Sequence, residues 1–402
     1  MIPFAPPSDL RIRAARPDDA EALGTLWARA FPGERSAADR TESLLAGTDT
    51  YGGLDTCRVA ELDGRMAGAC RAYSLTLSLF GRPVPALGLG AVAVSPDARR
   101  RGIGAELCRD ALRVGRERGD LVSVLYPFRV EFYRRMGWAL AGSVERYRFP
   151  PEALPRFPER SRARLLEPAE RRPAVPELYR SLLPGRHGLL HRSARHWKLL
   201  DDPALLVVGV EADPGEGTLA AAAILESRRG RGGTGPALTV RESYVSDPSS
   251  YRALLGWLSV QRDQWRSITL DALPGERLHQ VLAEPRRPGR GARRGLWFES
   301  AVLLRGPMIR VIDLAGLAAH FGVRPGTRLE VADPEVPEQA GVWVADDEAG
   351  LRRTDAEPGS GALPIALLSG LVVAGELPGV GIPPPEFEPA MGIGDFDLLD
   401  TF

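Results

Sequence analysis

This sequence of 402 residues has few cysteines, a single lysine and no net charge, and each of these features excludes a class of site or partner. The three cysteines, Cys57, Cys70 and Cys108, are too few and too widely spaced for a disulfide framework or a zinc site, and a reducing cytoplasm fits them best. Lys198 is the only lysine, so no other side chain offers an amine for Schiff-base chemistry. With 52 basic and 52 acidic residues, the balance of charge gives no reason to expect nucleic acid or an acidic membrane surface as a partner.

Long apolar runs are missing as well. The longest apolar stretch, residues 362–375, is shorter than a membrane span and contains Pro364 and Gly370, so we expect a buried helix there. The first residues show no basic segment followed by an apolar core, so we expect no signal peptide. These patterns predict a cytoplasmic protein that does not bind membranes.

The length predicts more than one domain, because 402 residues exceed what a single hydrophobic core usually spans. We predict an α/β (α+β) protein of three regions, at 1–150, 151–305 and 306–402. The first region is predicted to hold strands near 10–14, 57–62, 66–79, 91–94, 121–125 and 138–149, and helices from Asp18 or Asp19 to about Ala30, at 106–118 and around Tyr133. Asp63-Gly64 predicts a tight turn between the second and third of these strands.

The second region repeats this order of elements. Its predicted strands are 205–211, 219–226, 238–245, 268–272 and 296–304, with an amphipathic helix at 251–264. The third region begins with a strand-like run from Met308 that leads into a helix at 314–321, and it closes with a tail rich in glycine and proline from 378 to 389.

The most informative stretch is 90–105, where a short apolar strand ends at Pro96 and a cationic, glycine-containing turn leads into a helix. Amide groups at the start of a helix lack intrahelical acceptors, and the helix dipole makes that end positive. Gly102 and Gly104 let an anion approach the backbone, and the arginines before them add charge. A pyrophosphate is the natural ligand of such a turn. The alternative is a solvated basic loop before an ordinary helix.

A competing motif overlaps this stretch. Residues 88–93 fit the dinucleotide-binding pattern G-x-G-x-x-A, which needs a strand before it and a helix beginning inside it. Here the glycines lead into a strand that Pro96 ends, so we set the Rossmann interpretation aside.

Two motifs in sequence resemble a known family. The pattern Arg99-x-x-Gly102-x-Gly104 after a hydrophobic strand resembles the acyl-CoA pyrophosphate loop of the GNAT N-acetyltransferases. Residues 127–138 resemble a second GNAT element, in which a Phe-Tyr pair precedes a Gly-aromatic pair and the tyrosine hydroxyl lies near the thioester sulfur. The turn that corresponds to this loop in the second region, residues 246–250, lacks both the arginines and the Gly-x-Gly. We therefore expect a second GNAT-like unit that holds no CoA.

The whole chain resembles the Eis ("enhanced intracellular survival") branch of this family. That resemblance implies tandem GNAT-like domains followed by a sterol-carrier-protein-like domain, a homohexamer, and acetylation of several amines on an aminoglycoside. Eis-type chains end on a phenylalanine whose carboxylate enters the active site, and this chain ends on Phe402. The expected substrates are acetyl-CoA and a small-molecule amine, with no metal.

The resemblance also implies a set of functional residues. Tyr133 would protonate the CoA thiolate, and the Phe402 carboxylate would accept the amine proton. The residues expected to contact acetyl-CoA are Val92, Ala93, Val94, Arg99, Arg100, Arg101, Gly102, Ile103, Gly104, Ala105, Phe128 and Arg129. The alternatives are a plain core aromatic at Tyr133 and a frayed terminus at Phe402.

The chain departs from the aminoglycoside-acetylating members of the family near the acceptor. Ala91 replaces a bulky aromatic, and the loop 31–40 has no tryptophan, although Glu34 and Asp39 could attract a polycation. Thr401 stands where an acidic residue would help to bind amines, and Asp400 could substitute for it. A peptide amine as acceptor, or a non-catalytic CoA-binding or lipid-binding module, therefore remain alternatives.

Trp197 and three nearby histidines complete the list of candidates. Trp197 falls where the family places a tryptophan beside the acceptor pocket, and a core tryptophan is the alternative. His187, His191 and His196 cluster without a carboxylate or cysteine at matching spacing, so we expect no metal site.

Overall fold

The computed structural model describes residues 7–33, 35–213, 215, 217–228, 235–287, 298–345, 350–373, 398 and 400. These residues form two compact units. The first unit combines the described residues of Met1–Ala141 with those of Gly306–Ile393 and with Asp400, and the second contains those of Gly142–Arg305 with Leu398.

The first unit begins with a mixed run of helices and strands. Its elements are β1 (Arg11–Ala14), α1 (Ala20–Ala30), α2 (Ala37–Ala46), β2 (Cys57–Leu62), β3 (Arg65–Leu79), β4 (Arg82–Val94), α3 (Ile103–Arg118), β5 (Val122–Leu125), α4 (Val130–Arg135) and β6 (Ala139–Leu140). The predicted turn joins β2 to β3, with Asp63 and Gly64 at φ values of 51° and 69° that suit a two-residue hairpin turn.

The second unit repeats that pattern. Its elements are β7 (Ser143–Phe149), β8 (Ala163–Leu165), α5 (Pro168–Leu182), β9 (Leu205–Glu211), β10 (Leu219–Arg228), β11 (Ala237–Val245), α6 (Pro248–Ser259), β12 (Ser267–Ala272) and β13 (Ala301–Arg305). The chain then returns to the first unit with β14 (Met308–Val311), α7 (Leu314–Phe321), β15 (Arg328–Ala332), β16 (Gly341–Ala345), β17 (Leu351–Arg353), β18 (Leu363–Pro364) and α8 (Ile365–Val372).

The two large sheets have the same design. The first runs β1-β2-β3-β4-β5-β14-β6, and the second runs β13-β7-β12-β11-β10-β9-β8. In each sheet only one neighbouring pair is parallel, β4 with β5 in the first and β11 with β12 in the second. Next to β5 lies β14, a strand that follows the whole second unit in the sequence, whereas next to β12 lies β7, the first strand of the second unit itself.

Helices cover both faces of the first sheet. On one face Leu23 and Trp27 of α1 pack against Val59 and Ala93, and on the other face Leu107 of α3 packs against the opposite side of the same strands. The amphipathic spacing of α1 and α3 explains this burial, because residues three or four apart lie on one side of a helix.

The C-terminal part of the first unit is tied to the sheet by a buried ion pair. Its four-stranded sheet runs β17-β16-β15-β18. Arg310 of β14 forms a bidentate pair with Asp333 at 2.7–3.0 Å, with both side chains fully buried. Arg310 also donates to the carbonyl of Met136 at 3.1 Å and lies over the ring of Trp138.

Several expectations need correction. The predicted strand 138–149 is divided: β6 stays in the first sheet and β7 enters the second, because Gly142 at a φ of 71° turns the chain between them. The strand at 308–311 likewise joins the first sheet instead of a separate third region. The boundary between the two compact units falls at Ala141 and Gly142 instead of 150, and the chain passes back to the first unit between Arg305 and Gly306, where the sequence places a limit; the division into three regions stays a prediction.

Smaller differences concern the ends of elements. The helix predicted at 251–264 occupies Pro248–Ser259, because Asp247 caps it three residues earlier. The strand predicted at 296–304 is β13, Ala301–Arg305. Asp19 precedes α1 but makes no side-chain cap, because its carboxylate binds Arg13 and the amide of Arg16 instead. The expected buried helix in 362–375 is α8, which begins after Pro364. Across the part of the chain that the structure describes, every helix is too short or too polar to cross a bilayer.

Candidate active site

The candidate site begins where β4 separates from β5. The two strands pair only through Ala86–Gly88 and Val122–Val124. Beyond this point β4 contains a bulge, since the register to β3 shifts between Ala69 and Arg71. Ala91, at the bulge, has a φ of 49°, in the left-handed region that residues other than glycine rarely adopt. The end of β4 therefore diverges from β5 and opens a gap in the sheet.

A cleft of about 560 Å³ lies at this gap, and we call it the first cleft. It is lined by every residue expected to contact acetyl-CoA except Arg101. The lining residues are Ala30, Phe31, Val92, Ala93, Val94, Ala98, Arg99, Arg100, Gly102, Ile103, Gly104, Ala105, Phe128, Arg129, Phe132 and Arg135. The structure thus gathers the end of β4, the start of α3 and the segment after β5 around one cavity.

The N-terminus of α3 faces this cleft without a side-chain cap. Gly102 is the N-cap residue, at a φ of 79° that favours glycine, and no side chain accepts from the first turn. A Cβ added at Gly104 would approach only the ring of Phe132 and the side chain of Val94, at 3.7 and 3.8 Å. The amide of Ala105 donates to the carbonyl of Gly102 at 2.9 Å, so the amides of Ile103 and Gly104 are the ones open to an anion, and the dipole of a 16-residue helix favours one there.

Tyr133 lies behind the aromatic wall of the cleft instead of lining it. Its ring is 2% exposed and makes edge contacts with Phe128, Phe132 and Trp138, with ring centroids 4.9–5.9 Å apart. No residue in the described ranges hydrogen-bonds its hydroxyl. Burial raises the pKa of Tyr133 well above its ordinary value, so the hydroxyl stays protonated at neutral pH.

Trp27 contacts the bulge in β4, and no pattern in the sequence predicts this contact. Its indole Nε1 donates to the carbonyl oxygen of Ala91 at 2.7 Å, and the side chain is 3% exposed. In the sequence, Trp27 follows Leu23 by one helical turn and is typical of an ordinary core position. Only a pairing of α1 with the bulged strand could have revealed the contact.

Ala30, the last residue of α1, and Phe31 after it also line the first cleft. Asp39, expected to attract a polycation, accepts from the amide and hydroxyl of Ser36 and so caps α2. These hydrogen bonds lower the pKa of Asp39. Glu34, Thr401 and the predicted catalytic residue Phe402 lie outside the described residues, while Asp400 is buried in the first unit.

The remaining candidates lie in the second unit. Trp197 packs edge-on against Tyr179 and Tyr244, and the guanidinium of Arg192 lies 4.9 Å from its ring centroid. Trp197 is therefore part of a core cluster of that unit. Within the described ranges, no three histidine, cysteine or acidic side chains are grouped as a metal site would require.

The second unit has a gap at the corresponding place. β11 pairs with β12 only through Ala237–Thr239 and Ser267–Thr269, and a cleft of about 480 Å³, the second cleft, lies beyond. Asp247 is the N-cap of α6 there, and its carboxylate accepts from the amides of Ser249 and Ser250 at 2.8 and 2.9 Å. The helix terminus thus already holds an anion of its own.

Two matches to family models explain this internal repetition. Residues 11–141 match the model of an acetyltransferase (GNAT) domain, and residues 188–310 match a second model with the same description. The chain carries two GNAT acetyltransferase domains in tandem. The fold class predicted from the sequence, tandem GNAT-like domains with mixed sheets, is thereby confirmed for these two segments. GNAT domains use acetyl-CoA.

Individual relatives extend the comparison. An uncharacterized N-acetyltransferase of Streptomyces avermitilis is 30% identical over 207 residues, which are 46% of this chain and 48% of that protein. The matched part thus spans about half the length of this relative. The GCN5-related N-acetyltransferase of Anabaena variabilis superposes with a TM-score of 0.69 at 20% identity, covering 91% of this chain and 90% of its own. Eis1 of Mycobacterium abscessus superposes with a TM-score of 0.70 at 22% identity, covering 91% and 89%. At these identities the two structures show a shared fold.

Proposed function

We propose that the protein is an N-acetyltransferase that moves an acetyl group from acetyl-CoA to an amine in the first cleft. The observation that carries this proposal is the uncapped N-terminus of α3 at the end of a cleft opened by the bulge in β4. A pyrophosphate accepts hydrogen bonds from such amides and is neutralised by nearby arginines, here Arg99 and Arg100.

The rest of acetyl-CoA would follow the strand. The pyrophosphate would lie on the backbone amides of residues 100–105, and the pantetheine arm would run along Val92–Val94. A backbone N–H of that strand would then donate to the thioester carbonyl, as an oxyanion-hole donor does. Phe128 and Arg129 would flank the arm from the segment after β5.

The transfer itself needs no covalent enzyme intermediate. The nitrogen of a neutral amine attacks the thioester carbonyl carbon, a C–N bond forms, and the C–S bond breaks. Tyr133 would give its phenolic proton to the departing CoA thiolate, and the proton that the nitrogen loses on becoming an amide would pass to the tyrosinate, directly or through water, and restore the acid. Burial raises the pKa of Tyr133 and so keeps it in its acid form at neutral pH. The side chain is buried, and its hydroxyl has no hydrogen-bond partner among the described residues, so the hydroxyl can donate to a ligand, which supports this role.

The amine must lose a proton first, because an alkylammonium has a pKa of about 10. We propose that the Phe402 carboxylate takes it, directly or through water, as the resemblance to Eis implies. An α-carboxyl has a pKa of only about 3.5, so it acts as a base where desolvation raises that value or where the ammonium is held beside it.

We further propose that the acceptors are aminoglycosides or other polyamines, acetylated at several positions. The support is the Eis resemblance of the whole chain together with the shared fold of Eis1 of Mycobacterium abscessus. On the same ground we propose that the C-terminal part of the first unit, with its four-stranded sheet, is sterol-carrier-protein-like and that the protein forms a homohexamer. Three free, buried cysteines support a cytoplasmic location.

The test is release of CoA from acetyl-CoA with a panel of amines: tobramycin, kanamycin, spermidine and a lysine-containing peptide. Products are counted by mass spectrometry, and the full chain runs beside a chain that lacks Phe402. Several acetyl groups on one aminoglycoside, lost with Phe402, are the expected result. Turnover with the peptide alone would favour a peptide amine as the acceptor. Binding of acetyl-CoA without turnover of any amine would favour a non-catalytic binding module.

A further inference from the structure

Trp27 has a contact that indicates a role in positioning the backbone of the first cleft, and this inference rests on the proposed function. It donates a hydrogen bond of 2.7 Å to the carbonyl of Ala91, although α1 and β4 are separated by many residues in sequence. Ala91 is among the few residues other than glycine with a positive φ in the described ranges. A backbone in that region is strained and persists only where its surroundings hold it.

The hydrogen bond fixes more than one atom. The carbonyl of Ala91 and the N–H of Val92 belong to the same peptide group, which is planar and trans. In a trans peptide the N–H points opposite to the C=O. A donor that holds the Ala91 oxygen therefore also sets the direction of the Val92 N–H, which points away from the indole.

The same contact changes the strength of that N–H as a donor. A hydrogen bond to a carbonyl polarises its peptide group, and this makes the N–H on the other side a better donor. Val92 lines the first cleft and sits at the point where β4 has separated from β5. A thioester carbonyl along Val92–Val94 would meet this amide.

We propose that Trp27 is a positioning residue that orients and polarises the Val92 amide as the donor to the thioester carbonyl of bound acetyl-CoA. Trp27 touches neither substrate in this proposal and acts through the peptide between Ala91 and Val92. Its surroundings are apolar: Leu23 and Leu26 of its own helix and Ala93 of the strand pack in the same cluster, and the partly buried Ala91 lies against it.

The test replaces Trp27 by phenylalanine, which keeps an aromatic ring in the core and removes the donor. A matched control exists in the same unit, because Trp343 is also buried and donates to a main-chain carbonyl, that of Gln339, at 2.9 Å. Trp343→Phe removes the same type of hydrogen bond at a residue that does not line the first cleft. Circular dichroism confirms that each variant is folded.

Two readouts separate positioning from general stability. The first is the infrared band of the thioester carbonyl of ¹³C-labelled acetyl-CoA bound to the full chain, which needs no acceptor amine. We expect the wild type and Trp343→Phe to shift this band to lower frequency and Trp27→Phe to return it toward its position in free acetyl-CoA. The second is steady-state kinetics, in which Trp27→Phe is expected to lower kcat about 10- to 100-fold with little change in KM for acetyl-CoA.

An unchanged carbonyl band in Trp27→Phe would overturn the role of Trp27 while leaving the proposed acetyltransferase intact. A kcat for Trp27→Phe that falls no further than that of Trp343→Phe would have the same meaning. A wild type that binds no acetyl-CoA at all would overturn the proposed function and this inference together.

Discussion

The first and second clefts are built on the same sheet design and differ at the N-terminus of one helix. In each unit a strand separates from its only parallel neighbour, and a helix begins just beyond the gap. Gly102 leaves the first turn of α3 without a side-chain cap, whereas Asp247 fills the corresponding place at α6 with its own carboxylate. The N-terminus of α6 is thus occupied by a carboxylate of the chain itself, and that of α3 is not.

The hydrogen bonds around Asp247 show how firmly that place is taken. Besides two amides, its carboxylate accepts from the hydroxyls of Ser250 and Ser246, at 2.5 and 3.0 Å. These bonds, with the Ser250 hydroxyl first, lower the pKa of Asp247. A pyrophosphate would have to displace a charged group that four donors already satisfy. The second GNAT domain therefore keeps the architecture without an open phosphate site at this helix.

We expect the largest difference between the two clefts when a tyrosine in each is replaced by phenylalanine and kcat is compared. The change in the first cleft is Tyr133→Phe. Loss of a general acid lowers kcat by about 10²- to 10⁴-fold, while acetyl-CoA affinity stays the same. The matched change in the second cleft is Tyr251→Phe, which removes a hydroxyl that donates to Glu276, and we expect no loss of turnover from it. Steady-state kinetics and calorimetric titration with acetyl-CoA measure both. Equal activity of Tyr133→Phe and wild type would make Tyr133 a core aromatic only.

The raised pKa of Tyr133 adds a dependence on pH. Because the acid form persists above the ordinary tyrosine pKa of about 10, kcat should not fall between pH 8 and 10 through loss of this proton. The rate should instead rise with pH as the amine becomes neutral. A basic limb in that range that disappears in Tyr133→Phe would contradict the assignment.

A second experiment gives α3 an aspartate at its N-cap, the residue type that caps α6. Gly102→Asp places a carboxylate at the N-cap of α3, where it would accept from the amides proposed for pyrophosphate and repel the phosphates. We expect acetyl-CoA to bind about 100-fold more weakly, since hydrogen bonds to charged groups contribute about 1.5–3 kcal/mol each. Gly102→Asn is the control, because asparagine tolerates the left-handed backbone and carries no charge. Equal weakening by both variants would assign the effect to backbone strain instead of charge.

The smallest effect is expected from removing the N-cap of α6 in the second unit, and it concerns stability instead of turnover. Asp247→Ala should lower the free energy of unfolding by about 1 kcal/mol, as loss of an N-cap usually does, with no change in acetyl transfer. Because folding lowers the pKa of Asp247, its contribution is present above the unfolded pKa of about 3.9 and is lost as pH falls through the folded value. Urea titrations at pH 7 and at pH 3 should thus show a smaller difference at the lower pH. A difference that grows on acidification would contradict the capping role.

Much of the first cleft follows from local sequence. The apolar strand, the turn with Arg99 and Gly102, and the helix after it are consecutive in the chain. Their arrangement can therefore be predicted from the sequence alone. The cap at Asp247 lies in an equally local pattern, Asp-Pro-Ser-Ser, yet the prediction began the helix at Tyr251 because apolar periodicity starts there. Periodicity marks the buried face of a helix, and its capped first turn is polar.

Local sequence determined the order of helices and strands, the glycine-containing turn before α3 and the pair Phe132-Tyr133, because each depends on neighbours along the chain. Tertiary structure alone decided which sheet receives β7 and which receives β14. Both are short strands, and the alternation of their side chains is compatible with either sheet. The sheet that each strand joins is decided by pairing with strands far away in the sequence. The contact of Trp27 with Ala91 belongs to the same class: an indole N–H needs a carbonyl, and the folded chain alone brings that carbonyl to it.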